Sequence, residues 1–340
     1  MESIYNLTFD ELVEYFINNG DKKFRAEQVF DWLYVKRVKS FDEMSNLKKE
    51  VIDKLKEDFT ISSINLDKVE RDIEVNKYLF SLSDNNHIES VLMRHDYGNS
   101  ICISSQVGCN MGCKFCESGR LKKVRNLKAS EMVEQILKVE EDLKERITHV
   151  VIMGIGEPFD NYDNLIKFFE IINNPFGLAI GARHITVSTC GLVPKIDEFS
   201  EFPYQVNLAI SLHAPTNEIR DKIMPINNKY KIEEIISAVK RYIEKTNRRV
   251  TFEYILLDGI NDSLECANEL ANLVSSINCY INLIPYNETN NLNFKRTNTI
   301  QIMRFYDILK KNNINVTIRR EFGSKISAAC GQLRSKKEEL

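Results

Sequence analysis

From about residue 100 onward the chain repeats one rhythm, a short apolar run followed by a loop and a helix-length amphipathic stretch. The strand candidates are Ile101 to Ser105, His149 to Met153, His184 to Thr189, Gln205 to Leu212, Val250 to Leu257, Tyr280 to Ile284 and Asn315 to Ile318. Helix-length stretches lie between most of them, for example Ser130 to Leu143 with Met132, Val133, Ile136, Leu137 and Leu143 on one side. Strands joined by helical crossovers run parallel, and their sheet is covered by helices. Such a sheet either stays flat and doubly wound or curls into a full or partial barrel, and this pattern does not separate the two. In both, ligands bind beyond the carboxyl ends of the strands.

The amino-terminal part reads differently. Thr8 to Glu11 and Ser40 to Glu43 have capping-box spacing, and Phe9, Leu12, Val13, Phe16 and Ile17 form an apolar stripe ended by Gly20. A second stripe through Phe24, Val29, Phe30 and Leu33 contains Trp32, the single tryptophan. Lys77 to Leu82 and His87 to Met93 alternate around Ser83–Asn86 and read as a hairpin. These features predict a helical accessory domain over residues 1–70, a β-hairpin extension over 71–99, and a core from 100 to 340. Glu89 shares a strand face with Val91 and Met93. It is either an edge residue in solvent or a desolvated acid with a raised pKa.

With 43% apolar and 28% charged residues, 13 Gly and 7 Pro, the chain is neither disordered nor collagenous. Apolar runs such as Val150 to Met153 fall far short of the roughly 18 residues a membrane span needs, and the amino terminus is acidic where a signal peptide is basic. A soluble, cytoplasmic protein is expected. The net charge of -3 hides an asymmetry: residues 1–70 carry 11 Lys/Arg against 15 Asp/Glu, residues 295–337 carry 11 against 2. Lys114, Arg120, Lys122, Lys123, Arg125 and Lys128 face Glu117 alone between 114 and 128. The two basic regions are either phosphate-binding surface or solvated helix face and tail.

Eight cysteines in a chain of this size do not read as a disulfide framework. Four fall at 102, 109, 113 and 116, and Cys109, Cys113 and Cys116 form C-x3-C-x2-C just past the first parallel strand, with Gly108 and Gly112 permitting a tight loop. Three thiolates hold three corners of an iron–sulfur cubane and leave the fourth iron open; a zinc site completed by Cys102 or a distant residue is the alternative. One strand later comes Gly154-Ile155-Gly156-Glu157-Pro158, a glycine-relaxed turn that by itself could be an ordinary strand-end loop. Cys190, Cys266 and Cys279 read as small apolar core residues.

The cysteine spacing and the G-I-G-E-P turn resemble those of the radical S-adenosylmethionine (SAM) superfamily. The stretch from Cys102 to Cys116, R-N-L at 125–127, S-L-H-A-P at 211–215, M-P-I-N at 224–227, G-I-N-D-S at 259–263, N-L-I-P-Y-N at 282–287 and A-A-C-G-Q-L at 328–333 are similar to the RlmN/Cfr family of RNA adenosine methyltransferases. The F-R-A-E-Q-V-F-D-W-L segment resembles the family's helical accessory domain. The resemblance covers nearly the whole chain. It implies an α/β fold, the radical SAM partial (β/α)6 TIM-like barrel, with the helical domain and hairpin appended.

It also implies methylation of an aromatic carbon with a 4Fe–4S cluster and SAM as cofactors. Carbon 2 of adenine, between two ring nitrogens, is too electron-poor to attack an electrophilic methyl group, so a radical route is needed. In the family scheme one SAM methylates a cysteine matched by Cys330. A radical made from a second SAM takes hydrogen from that methyl, and the resulting methylene radical adds to the base. Cys102 matches the cysteine that resolves the crosslink through a transient Cys102–Cys330 disulfide, and Glu89 matches the proton acceptor. Cys109, Cys113 and Cys116 match the cluster ligands; Gly156, Glu157, Ser188, Ser211, Leu212, His213 and Asn287 match SAM-binding positions. Taken alone, His213 reads as a satisfied core histidine and Ser188 as a plain strand residue.

The implied substrate is adenosine 2503 of 23S rRNA, with adenosine 37 of tRNA a second target in some members. The implied electron donor is a flavodoxin or ferredoxin, and a monomer without membrane contact is expected. The base must leave its stack, so basic surface beside the barrel mouth is expected, from 114–128 or from Lys295, Arg296, Arg319, Arg320 and Arg334. Pro158 and Val107 resemble the carbon 2 branch, whereas C-N-M-G-C-K-F-C is equally close to the carbon 8 branch that confers antibiotic resistance. Departures are Glu117 after the third cysteine and Ser324, Lys325 and Ser327 before Ala328. The other readings are a radical SAM enzyme acting on a small molecule and a zinc-stabilised RNA-binding module.

Overall fold

The computed structural model describes residues 1–289, 291–320, 328 and 331–333. Cys330, Ser324, Lys325, Ser327 and Arg334 lie outside the described residues. Thr8 Oγ1 accepts from the Glu11 N–H at 3.2 Å while the Glu11 carboxylate accepts from the Thr8 N–H at 2.8 Å, opening helix α1 (Phe9–Asn18). Leu12 and Phe16 bury the expected stripe, and such a cap stabilises by about 1 kcal/mol. Helices α2 (Phe24–Phe30) and α3 (Lys49–Asp58) complete this part. It is tied to the next helix, α4 (Ala129–Leu143), by buried Glu134, which accepts from the Ser63 N–H at 2.9 Å, the Ser62 hydroxyl at 2.9 Å and the Ser3 hydroxyl at 3.3 Å. Removing that carboxylate would orphan several buried donors at once.

One ten-stranded sheet organises the rest of the described residues. Strands β1 (Ile64–Arg71), β2 (Val75–Leu82), β3 (His87–His95) and β4 (Gly98–Cys102) form an antiparallel meander. The expected hairpin is β2–β3, and β1 adds a third strand that a polar, charged pattern concealed. From β4 the sheet turns parallel: β5 (Ile147–Ile152), β6 (Ile185–Thr189), β7 (Asn207–Ser211), β8 (Val250–Leu256), β9 (Cys279–Pro285) and β10 (Val316–Ile318) add one after another in chain order.

Strictly consecutive order has no reversal point, so every crossover places its helix on the same side. The connections carry α4, α5 (Tyr162–Asn173), α6 (Val193–Phe199), α7 (Asn217–Ile223) with α8 (Ile232–Thr246), α9 (Leu264–Val274) and α10 (Thr299–Lys311). That makes six β/α units with β10 closing the series, and the edge strands β1 and β10 are not paired to each other. The fold is the expected partial barrel; a doubly wound sheet is excluded. The two strand faces separate accordingly. Ile101, Val150, Ile152, Val187, Leu208 and Ile210 pack under the helices, while Cys102, Val151 and Met153 join Val91 and Met93 in a distinct inner cluster. No described helix is long and apolar enough to cross a membrane.

Candidate active site

The loop after β4 is shaped by glycine. Gly108 has φ +74°, and a Cβ there would lie 2.2 Å from the Lys122 carbonyl oxygen; one on Gly119 would lie 2.4 Å from that of Cys113. The chain therefore folds tightly on itself, with the Cys109 N–H donating to Leu121 O at 3.0 Å and the Cys116 N–H to Cys113 O at 3.2 Å. Cys109, Cys113 and Cys116 line one cavity of about 140 Å³. Burial pushes the Cys109 thiol up to about 12 and holds that of Cys113 well above the ordinary range. Thiols so desolvated ionise readily only against a cation, as metal ligands do. Among the described residues no three His, Cys, Asp or Glu side chains converge on a single point as they do around one ion. Three thiols lining one cavity can hold three corners of an iron–sulfur cluster.

The turn after β5 lines the same cavity. A Cβ on Gly154 would come within 2.6 Å of the Ile103 carbonyl oxygen, and Gly156, at φ +113°, leaves 2.7 Å to Gln106 Cβ; only glycine fits either position. Glu157 is 4% exposed. Its carboxylate accepts from the N–H groups of Cys190 at 2.8 Å and Phe159 at 3.0 Å, its own N–H donates to Gln106 Oε1 at 2.9 Å, and burial raises its pKa. A carboxylate aimed by two backbone donors into a low-dielectric cavity is a preorganised partner for an ammonium group.

Ser188 and Ser211, on adjacent strand ends, approach with hydroxyl oxygens 3.2 Å apart. His213 sits at φ +57°, edge-on to Phe115 with ring centroids 4.9 Å apart. Its Nδ1 accepts from the Ile255 N–H at 3.0 Å, and its carbonyl accepts from Asn261 Nδ2 at 2.8 Å. The ring is satisfied as a core histidine is, and His213 also lines the cavity. Burial, assisted by the charge of Arg220, lowers its pKa to about 3. The unfolded chain binds this proton near pH 6.5, so His213 adds to stability above that pH. The contribution disappears as pH falls toward 3, at no more than about 1.4 kcal/mol per pH unit. Chemical denaturation between pH 7 and 4 should show this slope in the wild type and a shallower one in His213→Gln. Leu212 points its side chain into the core, leaving only its backbone near the site.

A second cavity of about 60 Å³ adjoins the first through Cys116, Ser118, Met153 and Gly154, and Cys102, Val91 and Asn287 line it with Ala328 and Gly331. Among the described residues Asn287 Oδ1 is buried without a hydrogen-bond partner. Ala328 and Gly331 flank position 330, which is outside the described residues. Gly331 O accepts from the Glu117 N–H at 2.8 Å, and the Ser118 hydroxyl donates to Leu333 O at 2.7 Å, so the flanks are fastened to the cysteine loop. Cys102 thus borders the second cavity, not the one around the other three cysteines. Glu89 is 4% exposed, which removes the edge-in-solvent reading; it lies two residues from Val91, the strand partner of Cys102, with Lys77 Nζ at 3.7 Å.

Several residues escaped the sequence reading. Cys190, read as core filler, lines the main cavity and donates its N–H to Glu157, whereas Cys266 and Cys279 are indeed buried in the core. Glu253, on the inner face of β8, is buried in the cavity wall with its pKa raised by burial, accepting from Asn282 Nδ2 at 2.8 Å. A single acid in a strand pattern gives no signal for this. The basic stretch is divided: Arg125 forms a two-pronged pair with Glu131 at 2.7 and 2.8 Å, and Lys123 meets Asp160 at 2.6 Å. Lys114, Lys122 and Lys128 remain on the surface beside the loop. In the carboxyl-terminal region Lys295 pairs with Glu288 at 3.2 Å, Arg320 with Glu74 at 2.5 Å, and Arg319 lines both cavities.

Residues 103–272 match the family model of the radical SAM superfamily, and residues 3–61 that of the ribosomal RNA large subunit methyltransferase N-terminal domain. The chain is 54% identical over 343 residues to a probable dual-specificity RNA methyltransferase RlmN of Listeria welshimeri, covering 98% of this chain and 94% of the relative. Identity to the protein of the same name from Enterococcus faecalis is 55%, covering 98% and 96%, and to that from Acholeplasma laidlawii 52%, covering 98% of each. The crystal structure of a radical SAM methyltransferase from Sphaerobacter thermophilus superposes with a TM-score of 0.94 at 41% identity, over 99% of this chain and 100% of that one.

Proposed function

Since the chain belongs to the radical SAM superfamily and, within it, to the RlmN RNA methyltransferases, we propose that it methylates carbon 2 of adenosine 2503 in 23S rRNA and of adenosine 37 in tRNA. The observation that carries this is the pair of joined cavities, one lined by the three loop cysteines and Glu157, the other by Cys102 and the flanks of Cys330. The dual-specificity name of the relatives supports two RNA substrates, and Pro158 and Val107 support carbon 2.

Cys109, Cys113 and Cys116 hold a 4Fe–4S cluster, and Gly156, Glu157, Ser188, Ser211, the Leu212 backbone, His213 and Asn287 hold SAM. When bound, the cluster supplies single electrons to SAM, the source of the transferred carbon. Glu157 orients the SAM ammonium group, and the neutral His213 ring adds no charge to the wall. Cys330 carries the carbon to the base. Glu89, desolvated beside Lys77, takes the proton lost from carbon 2. Cys102 then attacks the Cys330 sulfur: an S–S bond forms, the S–C bond breaks with its electron pair on carbon, and that carbon takes a proton to become the methyl group. Lys114, Lys122 and Lys128 offer phosphate contacts beside the mouth. A flavodoxin or ferredoxin delivers electrons to a cytoplasmic monomer.

Mass spectrometry of 23S rRNA nucleosides from cells with and without the gene tests the reading. Loss of 2-methyladenosine on deletion is expected. Loss of 8-methyladenosine instead would assign the other carbon, and no change in either nucleoside overturns rRNA methylation.

A further inference from the structure

Arg220 lies on α7 and carries a charge that side chains of its type normally keep in solvent, yet it is 0% exposed. A guanidinium has five N–H donors, and its contacts occupy all of them. Nε donates to Leu212 O at 3.1 Å. One terminal nitrogen donates to Asn227 Oδ1 at 3.0 Å and Tyr230 O at 3.5 Å; the other donates to Cys190 O at 2.7 Å and Ser211 O at 3.3 Å. No donor is left for a ligand, so any role in the reaction is indirect. The carbonyls of Cys190, Ser211 and Leu212 belong to the ends of two neighbouring strands, β6 and β7, whose residues line the main cavity.

None of the five contacts is to a carboxylate, and a buried charge without an opposite one costs several kcal/mol. The charge sits beside the cysteine cavity, because Cys190, whose carbonyl it meets at 2.7 Å, lines that cavity with Cys109, Cys113 and Cys116; the carboxylate next to it in sequence is that of Asp221. Asp221 already meets Lys231 at 3.1 Å and Asn227 at 2.6 Å. The opposite charge is therefore expected from the cysteine side. Three thiolates around a cluster carry surplus negative charge, and each added electron raises it. In a medium of low effective dielectric a fixed cation nearby favours that electron.

We propose that Arg220 is a positioning residue with two linked roles: its fork clamps the β6 and β7 ends that shape the SAM pocket, and its charge offsets the thiolate cluster and raises the cluster's reduction potential. The inference rests on Cys113 being a cluster ligand. It is tested on reconstituted full-length protein by iron and sulfide analysis, redox titration followed by electron paramagnetic resonance, and equilibrium SAM binding. Arg220→Gln should keep its iron but bind the electron about tenfold less favourably, a fall of about 59 mV for a one-electron couple. Arg220→Lys keeps a charge but cannot hold three carbonyls in one plane; its potential should stay within about threefold of wild type on the same scale while its SAM Kd rises about tenfold. An iron-loaded Arg220→Gln with wild-type potential overturns the charge assignment, and a wild-type SAM Kd in Arg220→Lys overturns the clamp. Should the Gln variant not fold, a tenfold loss in Arg220→Lys overturns the charge assignment instead. Wild-type protein without iron sinks the cluster reading itself, a result distinct from each of these.

Discussion

Cys102→Ala protein, supplied with SAM, reductant and substrate RNA, should accumulate a covalent protein–RNA adduct while release of methylated RNA falls by at least about a thousandfold. Cys102 ends β4 and is 8% exposed. It lines one cavity with Ala328 and Gly331, which bracket position 330. Attack on sulfur requires a thiolate in line with the bond that breaks, and alanine offers none. The adduct should migrate as an RNase-sensitive band on denaturing gels. It should vanish in the Cys102→Ala, Cys330→Ala double variant, in which no carbon carrier remains. Multiple turnover by Cys102→Ala would remove the resolving role, and turnover by Cys330→Ala alone would remove the carrier.

Cys113→Ala should lose the cluster and with it all methylation. The half-buried thiol lines one cavity with the other two loop cysteines, and a three-thiolate site has no spare ligand. After anaerobic reconstitution the wild type should hold about four irons per chain and be brown, whereas the variant should hold fewer than about one. Far-UV circular dichroism should be unchanged, because the loop lies outside the helices and the large sheet. Cys266→Ala, at a core thiol remote from the cavity, serves as the control and should load normally. Stoichiometric zinc with negligible iron in the wild type would end the cluster assignment.

Much of the molecule was legible because its signals are local. The C-x3-C-x2-C loop, the Gly154–Pro158 turn and the Thr8 capping box each act within a few residues, where backbone geometry and side-chain chemistry leave little choice. The alternation of apolar strands with amphipathic helices placed seven strands close to where they lie. The strand β1 was not legible: its Asp67, Lys68, Glu70 and Arg71 look like a solvated linker, and only pairing with β2 makes them an edge.

What the chain's order of residues carried was local pattern: three cysteines on one loop, a glycine turn with a carboxylate, and a repeating crossover unit. Whether those units curl or wind both ways depends on which strand ends meet, and that follows from packing between segments tens of residues apart. The same holds for Glu89, Cys190 and Arg220. A carboxylate, thiol or guanidinium has no character of its own until burial removes water and fixes its partners. Arg220, of a residue type that normally stays in solvent, is a buried cation because three strand-end carbonyls converge on it.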